Sequence, residues 1–181
     1  MAGDQNFLKV KSIVVTIFLV LFIANNSFAE KFDFKKIIDL KEPWGSTFVN
    51  NKELLITEKS GSIKLININT KKISNINHNL NFLEHGQGGL LDILYKDNFV
   101  YISYTENRGD GKTSTSIAKS KFDKKDFIFK NIFQANPPIN SGYHFGSRLA
   151  IKDDFLFATA GERGEGMIAQ DPTKHPGSII R

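Results

Sequence analysis

The sequence predicts an all-β protein built as a β-propeller. Three stretches, FVNNKELLITE, ILYKDNFVYISY and LAIKDDFLFAT, share one form: an apolar strand, a short polar turn and a second apolar strand. They recur at intervals of about 50 residues, and repeats of about 40–50 residues with roughly four short strands each are typical of propeller blades. An antiparallel sandwich with several hairpins is the alternative, because it also consists of many short strands. The regular spacing favours the propeller.

Alternation of apolar and polar residues indicates the individual strands, and no convincing amphipathic helix follows Glu30. A first strand ends at Phe48 and Val49. The other expected strands cover residues 53–58, 63–68, 90–95, 99–104, 113–122, 127–133, 147–151 and 155–159, with a polar loop at 105–112. These strands make about three blades, whereas a closed propeller needs at least about four. Ile179 and Ile180 also read as the start of another strand, so we expect the N-terminal part of a longer propeller.

The composition is that of a folded protein, with 40% hydrophobic residues and 16 Phe among 181 residues. Cysteine is absent, which excludes disulfide bonds and thiolate metal sites within this sequence. The net charge of +5 would suit a nucleic-acid partner. The lysines, however, are scattered over turns and strand edges, and the arginines are confined to Arg108, Arg148, Arg163 and Arg181. We therefore expect no nucleic-acid partner.

Residues 1–29 have the pattern of a secretory signal peptide. Lys9 and Lys11 precede an apolar run at residues 13–24, and small residues end the segment at Ala29. A retained membrane anchor is the alternative, but the run is shorter than the ~20 residues that a membrane-spanning helix needs. We expect cleavage after Ala29, a propeller part at residues 30–181, no stable membrane anchor, and a periplasmic or secreted protein.

A candidate general base lies near the end of the sequence. His144 sits in a Gly-rich loop just before the strand expected at 147–151, and Glu162 follows the strand expected at 155–159. Two hairpin strands place the start of one beside the end of the other, so these side chains can meet on one rim of a sheet. A carboxylate that holds an imidazole in one tautomer makes it an oriented general base.

Two further loops can contribute to the same rim. In GQGG, at residues 86–89, glycines let the backbone approach a ligand and aim the amide of Gln87. A tight turn between blades is the alternative reading, and the pattern matches no phosphate-binding motif. The loop at 169–177 is better explained as a blade connection. The remaining histidines lack metal-ligand spacing and are expected in loops or on the surface: His78, His85 and His175.

Several motifs carry a family resemblance over essentially the whole expected mature chain. They are PWG at 43–45, LITE at 55–58 with Gly61 after it, GQGGLLD at 86–92, VYISY at 100–104, SGYHFGSRL at 141–149, and AQD at 169–171 followed by Gly177. In this order they resemble the PQQ-dependent glucose/sorbosone dehydrogenase family, in particular the soluble aldose sugar dehydrogenases.

The resemblance implies a six-bladed β-propeller in the periplasm that oxidises aldose sugars at the anomeric carbon to lactones. The hydride would pass to pyrroloquinoline quinone (PQQ), with Ca²⁺ on the same face and a periplasmic electron acceptor. It implies that His144 is the proton acceptor, that Glu162 orients it, and that Gln87 and Tyr143 contact the substrate. Many members of the family carry Asp at the position of Glu162.

The resemblance also places the cofactor clamp elsewhere. In the family an Arg-Asn pair that clamps PQQ and the calcium ligands belong to later blades, so we expect the cofactor-binding residues after Arg181. No metal ligand is then expected in this sequence, and the sequence alone is expected to be inactive.

Two alternatives to the enzyme stay open at this point. One is a secreted propeller that binds a ligand without redox chemistry. The other is a half-propeller that assembles with another copy or another chain.

Overall fold

The structure is a computed structural model that describes residues 32–181. Residues 37–181 form one compact unit. Of the other unit, Met1–Lys36, only residues 32–36 are described, and they have no regular secondary structure. The expected signal peptide lies outside the described residues. Within the described part, no helix has the length and apolar character needed to cross a membrane.

The first sheet has the strand order β1-β2-β3-β4-β8. Its strands are β1 (Pro43–Asn50), β2 (Glu53–Glu58), β3 (Ile63–Asn67), β4 (Ile73–His78) and the short β8 (Asp126–Phe127). The first four are antiparallel neighbours, and β8 pairs parallel with β4. The polar turn after β1 is closed by the side chain of Asn50, whose Oδ1 accepts hydrogen bonds from the N–H groups of Lys52 and Glu53 at 2.9 and 3.0 Å.

The second sheet is a four-stranded antiparallel blade with the order β5-β6-β7-β9. Its strands are β5 (Leu90–Lys96), β6 (Phe99–Asn107), β7 (Thr113–Lys121) and β9 (Lys130–Gln134). Asp97 and Asn98 form the tight turn between the first two strands with φ of +50° and +63°. Positive φ at both central residues matches the right-handed twist of hairpin strands, which explains the polar turn in the sequence.

The third sheet contains β10 (Gly146–Lys152), β11 (Phe155–Ala160) and β12 (Ile179–Ile180) in that order. A 3-10 helix, Gly166–Gln170, lies in the connection between β11 and β12. The first strands of the three sheets are neighbours, since β5 contacts both β1 and β10. Sheets that stack face to face around adjacent inner strands form a partial propeller, so the predicted fold class is confirmed.

The core lies between successive sheets. Between the first and second sheets a large apolar cluster includes Leu55, Ile63, Val100, Tyr104 and Phe127. Between the second and third sheets a smaller cluster is built on Ile117, Leu149 and Ala158. Burial of these alternating residues removes apolar surface from water and holds each blade against the next.

Three strand predictions need correction. The strand expected at 127–133 is divided, because β8 belongs to the first sheet and β9 to the second. Phe127 and Phe129 are both buried and Ile128 between them is exposed. Buried and exposed residues do alternate here, but this alternation does not indicate that the chain passes from one sheet to the next. The side chain of Asn79 holds the chain at this break. Its Oδ1 accepts a hydrogen bond from Phe129 N–H at 2.8 Å, and its Nδ2 donates one to Phe129 O at 3.2 Å. In addition, β4 was not predicted, and β6 extends to Asn107 into the expected loop.

Candidate active site

The site is formed where residues 141–146, which lead into β10 and include its first residue, meet the residues that follow β11. We call residues 141–146 the histidine loop. Because β10 and β11 are antiparallel and pair Gly146 with Ala160, the start of one lies beside the end of the other. His144 Nδ1 is hydrogen-bonded to Glu162 Oε1. The two side chains are 54% and 28% exposed, respectively. The structure thus brings together the histidine and the carboxylate that the sequence placed on one rim.

The electrostatics of this pair fix which ring nitrogen is available. The hydrogen bond from His144, with a smaller contribution from the backbone N–H of Gly164, holds the pKa of the Glu162 carboxyl below its usual value. An ionised carboxylate can only accept hydrogen bonds, so Nδ1 carries the shared proton. The lone pair of Nε2 is then the proton-accepting position of the neutral ring.

The backbone of the histidine loop is tightly constrained. His144 has φ of +49°, in the left-handed region that a non-glycine residue rarely adopts. Gly161 N–H donates to Phe145 O at 3.1 Å, and a Cβ added at Gly161 would lie 1.9 Å from His144 O. Only glycine therefore lets the chain after β11 approach the loop this closely.

Gln87 lies on the same rim, in the loop at residues 84–89, which we call the glutamine loop. Its backbone N–H donates to Gly142 O at 2.8 Å, and its side-chain Oε1 accepts from the backbone N–H of His144 at 2.9 Å. The side-chain oxygen is thus engaged with the histidine loop, while the amide nitrogen makes no hydrogen bond to another described residue and stays available to a ligand. That Gln87 contacts the substrate stays a prediction.

The glycines beside Gln87 serve this close approach of the two loops. Gly86 has φ of +59°, and a Cβ there would lie 2.5 Å from Gly142 O. A Cβ at Gly88 would lie 2.4 Å from Thr105 Oγ1 and 2.7 Å from the ring of Phe145. Gly86 and Gly88 are thus required for packing against the histidine loop.

Tyr143 is exposed beside the pair, with its ring centroid 6.1 Å from that of His144. It can therefore contact a molecule that reaches the imidazole.

Three buried charged residues near the rim were given no role by the sequence reasoning. Asp92, the last residue of GQGGLLD, accepts hydrogen bonds from Leu149 N–H at 2.8 Å and from Arg148 Nη1 at 3.1 Å, and so links the second blade to the third. Glu106 accepts from Ser116, Asn131 and Gln134 and connects three strands of the second sheet. Arg163 lies under the histidine loop. The one available signal for Arg163 was its position directly after the expected acid.

The other histidines lie away from the pair. His78 is the last residue of β4 and half-buried, which corrects its expected place in a loop or on the surface; its Nε2 lies 2.8 Å from Gly61 O. His85 is exposed in the glutamine loop. His175 accepts a hydrogen bond from Asn136 N–H at 2.9 Å, which is consistent with a blade connection at 169–177. Across residues 32–181, no group of three or more His, Asp or Glu side chains is placed to hold a metal ion.

The fold is a partial β-propeller, and its rim carries an exposed histidine that is hydrogen-bonded to a carboxylate. Such a pair can accept a proton from a small molecule. A sequence model of the glucose/sorbosone dehydrogenase family matches residues 40–181. The chain therefore belongs to the glucose/sorbosone dehydrogenase family, and the resemblance found in the sequence is confirmed.

Individual relatives agree with this assignment. Aldose sugar dehydrogenase YliI of Escherichia coli (strain K12) is 30% identical over 152 residues, which are 78% of this chain and 41% of the relative. A solved glucose dehydrogenase is 31% identical with a TM-score of 0.76, over 81% of this chain and 46% of the other. The PQQ-bound aldose sugar dehydrogenase of Streptomyces coelicolor shares the fold, with a TM-score of 0.72 at 24% identity. The chain thus spans less than half the length of these relatives.

Proposed function

We propose that this chain is part of a PQQ-dependent aldose sugar dehydrogenase that oxidises the anomeric carbon of an aldose to the lactone. The observation that carries the proposal is the hydrogen bond between His144 Nδ1 and Glu162 on an open rim. Membership of the glucose/sorbosone dehydrogenase family, which includes sugar-oxidising relatives, supplies the reaction class.

The chain's own residues account for the proton that this oxidation releases. Loss of a hydride from the anomeric carbon leaves a C=O bond only if the anomeric hydroxyl also loses its proton. Nε2 of His144 takes that proton, and the ring becomes an imidazolium. Glu162 stabilises the positive charge through Nδ1–H and keeps the ring from rotating. In this proposal Tyr143 and the amide nitrogen of Gln87 hold the sugar. Two contacts support it: the Tyr143 ring centroid lies 6.1 Å from that of His144, and the Gln87 side chain bonds the backbone N–H of His144.

PQQ, when bound, supplies the two-electron acceptor for the hydride, and calcium would polarise its quinone carbonyl. The rim described here fits the proton-accepting half of that site. The resemblance puts the PQQ clamp and the calcium ligands in the later blades of the longer relatives. We therefore propose that His144 faces a cofactor held mainly by residues outside 32–181. Export through residues 1–29, a periplasmic location and a periplasmic electron acceptor belong to the same proposal.

The test uses the full-length protein supplied with PQQ and Ca²⁺, with reduction of a redox dye as the assay. His144→Ala should lower kcat by at least ~100-fold, because general base catalysis contributes about 10²–10⁴-fold. Glu162→Gln should lower it by ~10–100-fold through lost orientation of the ring. His85→Ala is the matched control, since His85 is an exposed histidine on the neighbouring loop, and it should stay within about 2-fold of the wild type, as expected for a side chain without a catalytic contact.

Binding of PQQ by each variant is measured separately by calorimetric titration, so that a lost cofactor is not mistaken for a lost base. Near-normal turnover by His144→Ala would refute the assignment of the base. Tight binding of sugar by a wild-type protein that neither binds PQQ nor reduces dye would instead favour the binding-module alternative.

A further inference from the structure

We propose that Arg163 is a positioning residue that fixes the histidine loop relative to Glu162 and thereby sets the geometry of the His144–Glu162 pair. The inference deepens the proposed function and rests on it for its catalytic meaning. It begins with an unusual residue: Arg163 is only 2% exposed. Among the described residues, no carboxylate lies within ion-pair distance of its guanidinium.

The guanidinium of Arg163 is hydrogen-bonded to the histidine loop and to the start of β7. Nε donates to Tyr143 O at 2.9 Å, and Nη2 donates to Ser141 O. Nη1 and Nη2 donate to the carbonyl and hydroxyl oxygens of Thr113 at 3.1 and 2.8 Å. Four N–H donors are thus used, two of them on carbonyls of the histidine loop and two on the first residue of β7.

An aromatic ring completes the surroundings of the Arg163 guanidinium. The guanidinium carbon lies 3.6 Å from the centroid of the Phe145 ring, a distance at which a desolvated cation is attracted to the face of the ring. Phe145 directly follows His144. Tyr143 and Phe145, the residues before and after His144, therefore both contact the guanidinium of Arg163.

Arg163 is also joined to the acid. It follows Glu162 in the chain, its φ is +63°, and its backbone N–H donates to His144 O at 3.3 Å. The chain turns at this point so that the Glu162 side chain faces the rim while the Arg163 side chain goes beneath the loop. One residue thus anchors the backbone that carries the acid and the backbone that carries the base.

Burial of this cation is costly. Desolvation lowers the pKa of Arg163 to about 10, an effect that the nearby charge of Glu162 opposes only in part. Neutral carbonyls compensate a buried charge less fully than a carboxylate would. An apolar side chain could fill the same space without this cost. We therefore infer that the role of Arg163 depends on the planar set of N–H donors of its guanidinium. Lysine offers a single ammonium and cannot reach the carbonyls of Ser141, Tyr143 and Thr113 together.

The experiment uses full-length protein labelled with ¹⁵N-histidine, without cofactor, and follows the Nδ1–H proton of His144 by NMR. The signal is assigned by its loss in His144→Ala. In Arg163→Lys the hydrogen bond to Glu162 should open more often. We therefore expect this proton to exchange with water at least ~10-fold faster, or its signal to vanish. Arg108→Lys is the matched control: Arg108 is another arginine next to the start of β7, bonded to Ser114 Oγ at 3.0 Å, and it should leave the signal unchanged.

Kinetics on the PQQ-loaded protein give the second measurement. Arg163→Lys should lower kcat by at least ~10-fold, since small misplacement of a catalytic group is costly, with KM within about 2-fold of the wild type. A normal Nδ1–H signal in folded Arg163→Lys overturns the proposal. If that variant does not fold, Thr113→Val, which removes one acceptor, decides it: unchanged exchange of the His144 proton then overturns the proposal.

The two proposals fail separately. If the wild-type protein oxidises no sugar but Arg163→Lys still frees the His144 proton, the positioning role stands and the dehydrogenase assignment falls. If the wild type is active and the variant keeps both the proton signal and kcat, the positioning role falls and the dehydrogenase assignment stands.

Discussion

Asp92 offers the sharpest test of how the blades are joined. Its carboxylate is 4% exposed and accepts from two buried backbone N–H groups, Leu149 in the third sheet at 2.8 Å and Ile93 in its own strand at 3.1 Å. Arg148 Nη1 is a third donor at 3.1 Å, but its side chain is 63% exposed. Asp92→Ala removes all three acceptor contacts and leaves the two N–H groups buried.

The expected loss follows from these contacts. Each buried donor left without a partner costs about 1–3 kcal/mol, and the mostly exposed contact with Arg148 adds at most ~1 kcal/mol. Asp92→Ala should therefore lower the free energy of unfolding by about 2–7 kcal/mol. Asp92→Asn should lose roughly half as much, because an amide keeps one accepting oxygen but turns its NH₂ group toward the other donor.

Urea denaturation of the full-length protein, followed by fluorescence or circular dichroism, measures this loss as a lower midpoint at unchanged slope. Asp154→Ala is the control, since Asp154 is an exposed carboxylate in the turn after β10, and its effect should stay within about 0.5 kcal/mol. If Asp92→Ala and Asp154→Ala unfold at the same urea concentration, the link between the second and third blades does not depend on this carboxylate.

Two further predictions concern the glutamine loop and the buried tyrosine. Gly88→Ala places a Cβ 2.4 Å from Thr105 Oγ1 and should cost about 1–3 kcal/mol of stability by overpacking. Gly166→Ala is the control and should be neutral, because a Cβ there meets nothing within 4 Å. Equal thermal midpoints for the two variants would contradict the close packing of the loops. Burial, together with the charge of Glu106, raises the pKa of Tyr104 to about 12, so the stability that this phenol contributes is complete below about pH 10 and is lost as the pH rises from 10 toward 12. The difference in phenolate absorbance between wild type and Tyr104→Phe should have its midpoint near pH 12, and a midpoint near pH 10 would show that Tyr104 is not in this environment.

Much of the fold could be predicted because its signals are local. Strands such as Glu53–Glu58 and Phe155–Ala160 are short, mainly apolar segments bounded by polar turns. The turns between strands use residues that tolerate positive φ, such as Asp97 and Asp153. The division of 127–133 could not be predicted, because alternation reports which side chains are buried but not which sheet buries them. β4 escaped prediction because the segment ISNINH buries a single residue, Ile76.

The candidate site divides in the same way. Its two chemical groups could be predicted, since a hairpin necessarily brings the start of β10 beside the end of β11 and so places His144 near Glu162. The family, too, was evident from motifs in the sequence. The sequence by itself therefore determined the class of fold, the family and the identity of the pair.

What only the tertiary structure decided is how that pair is held. The bond from His144 N–H to the side chain of Gln87 spans 57 residues, and the bonds from Arg163 to Thr113 span 50. Partners this distant follow from how one blade packs on the next, and no local pattern encodes that packing. A buried arginine and a surface arginine look alike in the sequence, because burial is a property of the whole fold rather than of the residue and its neighbours.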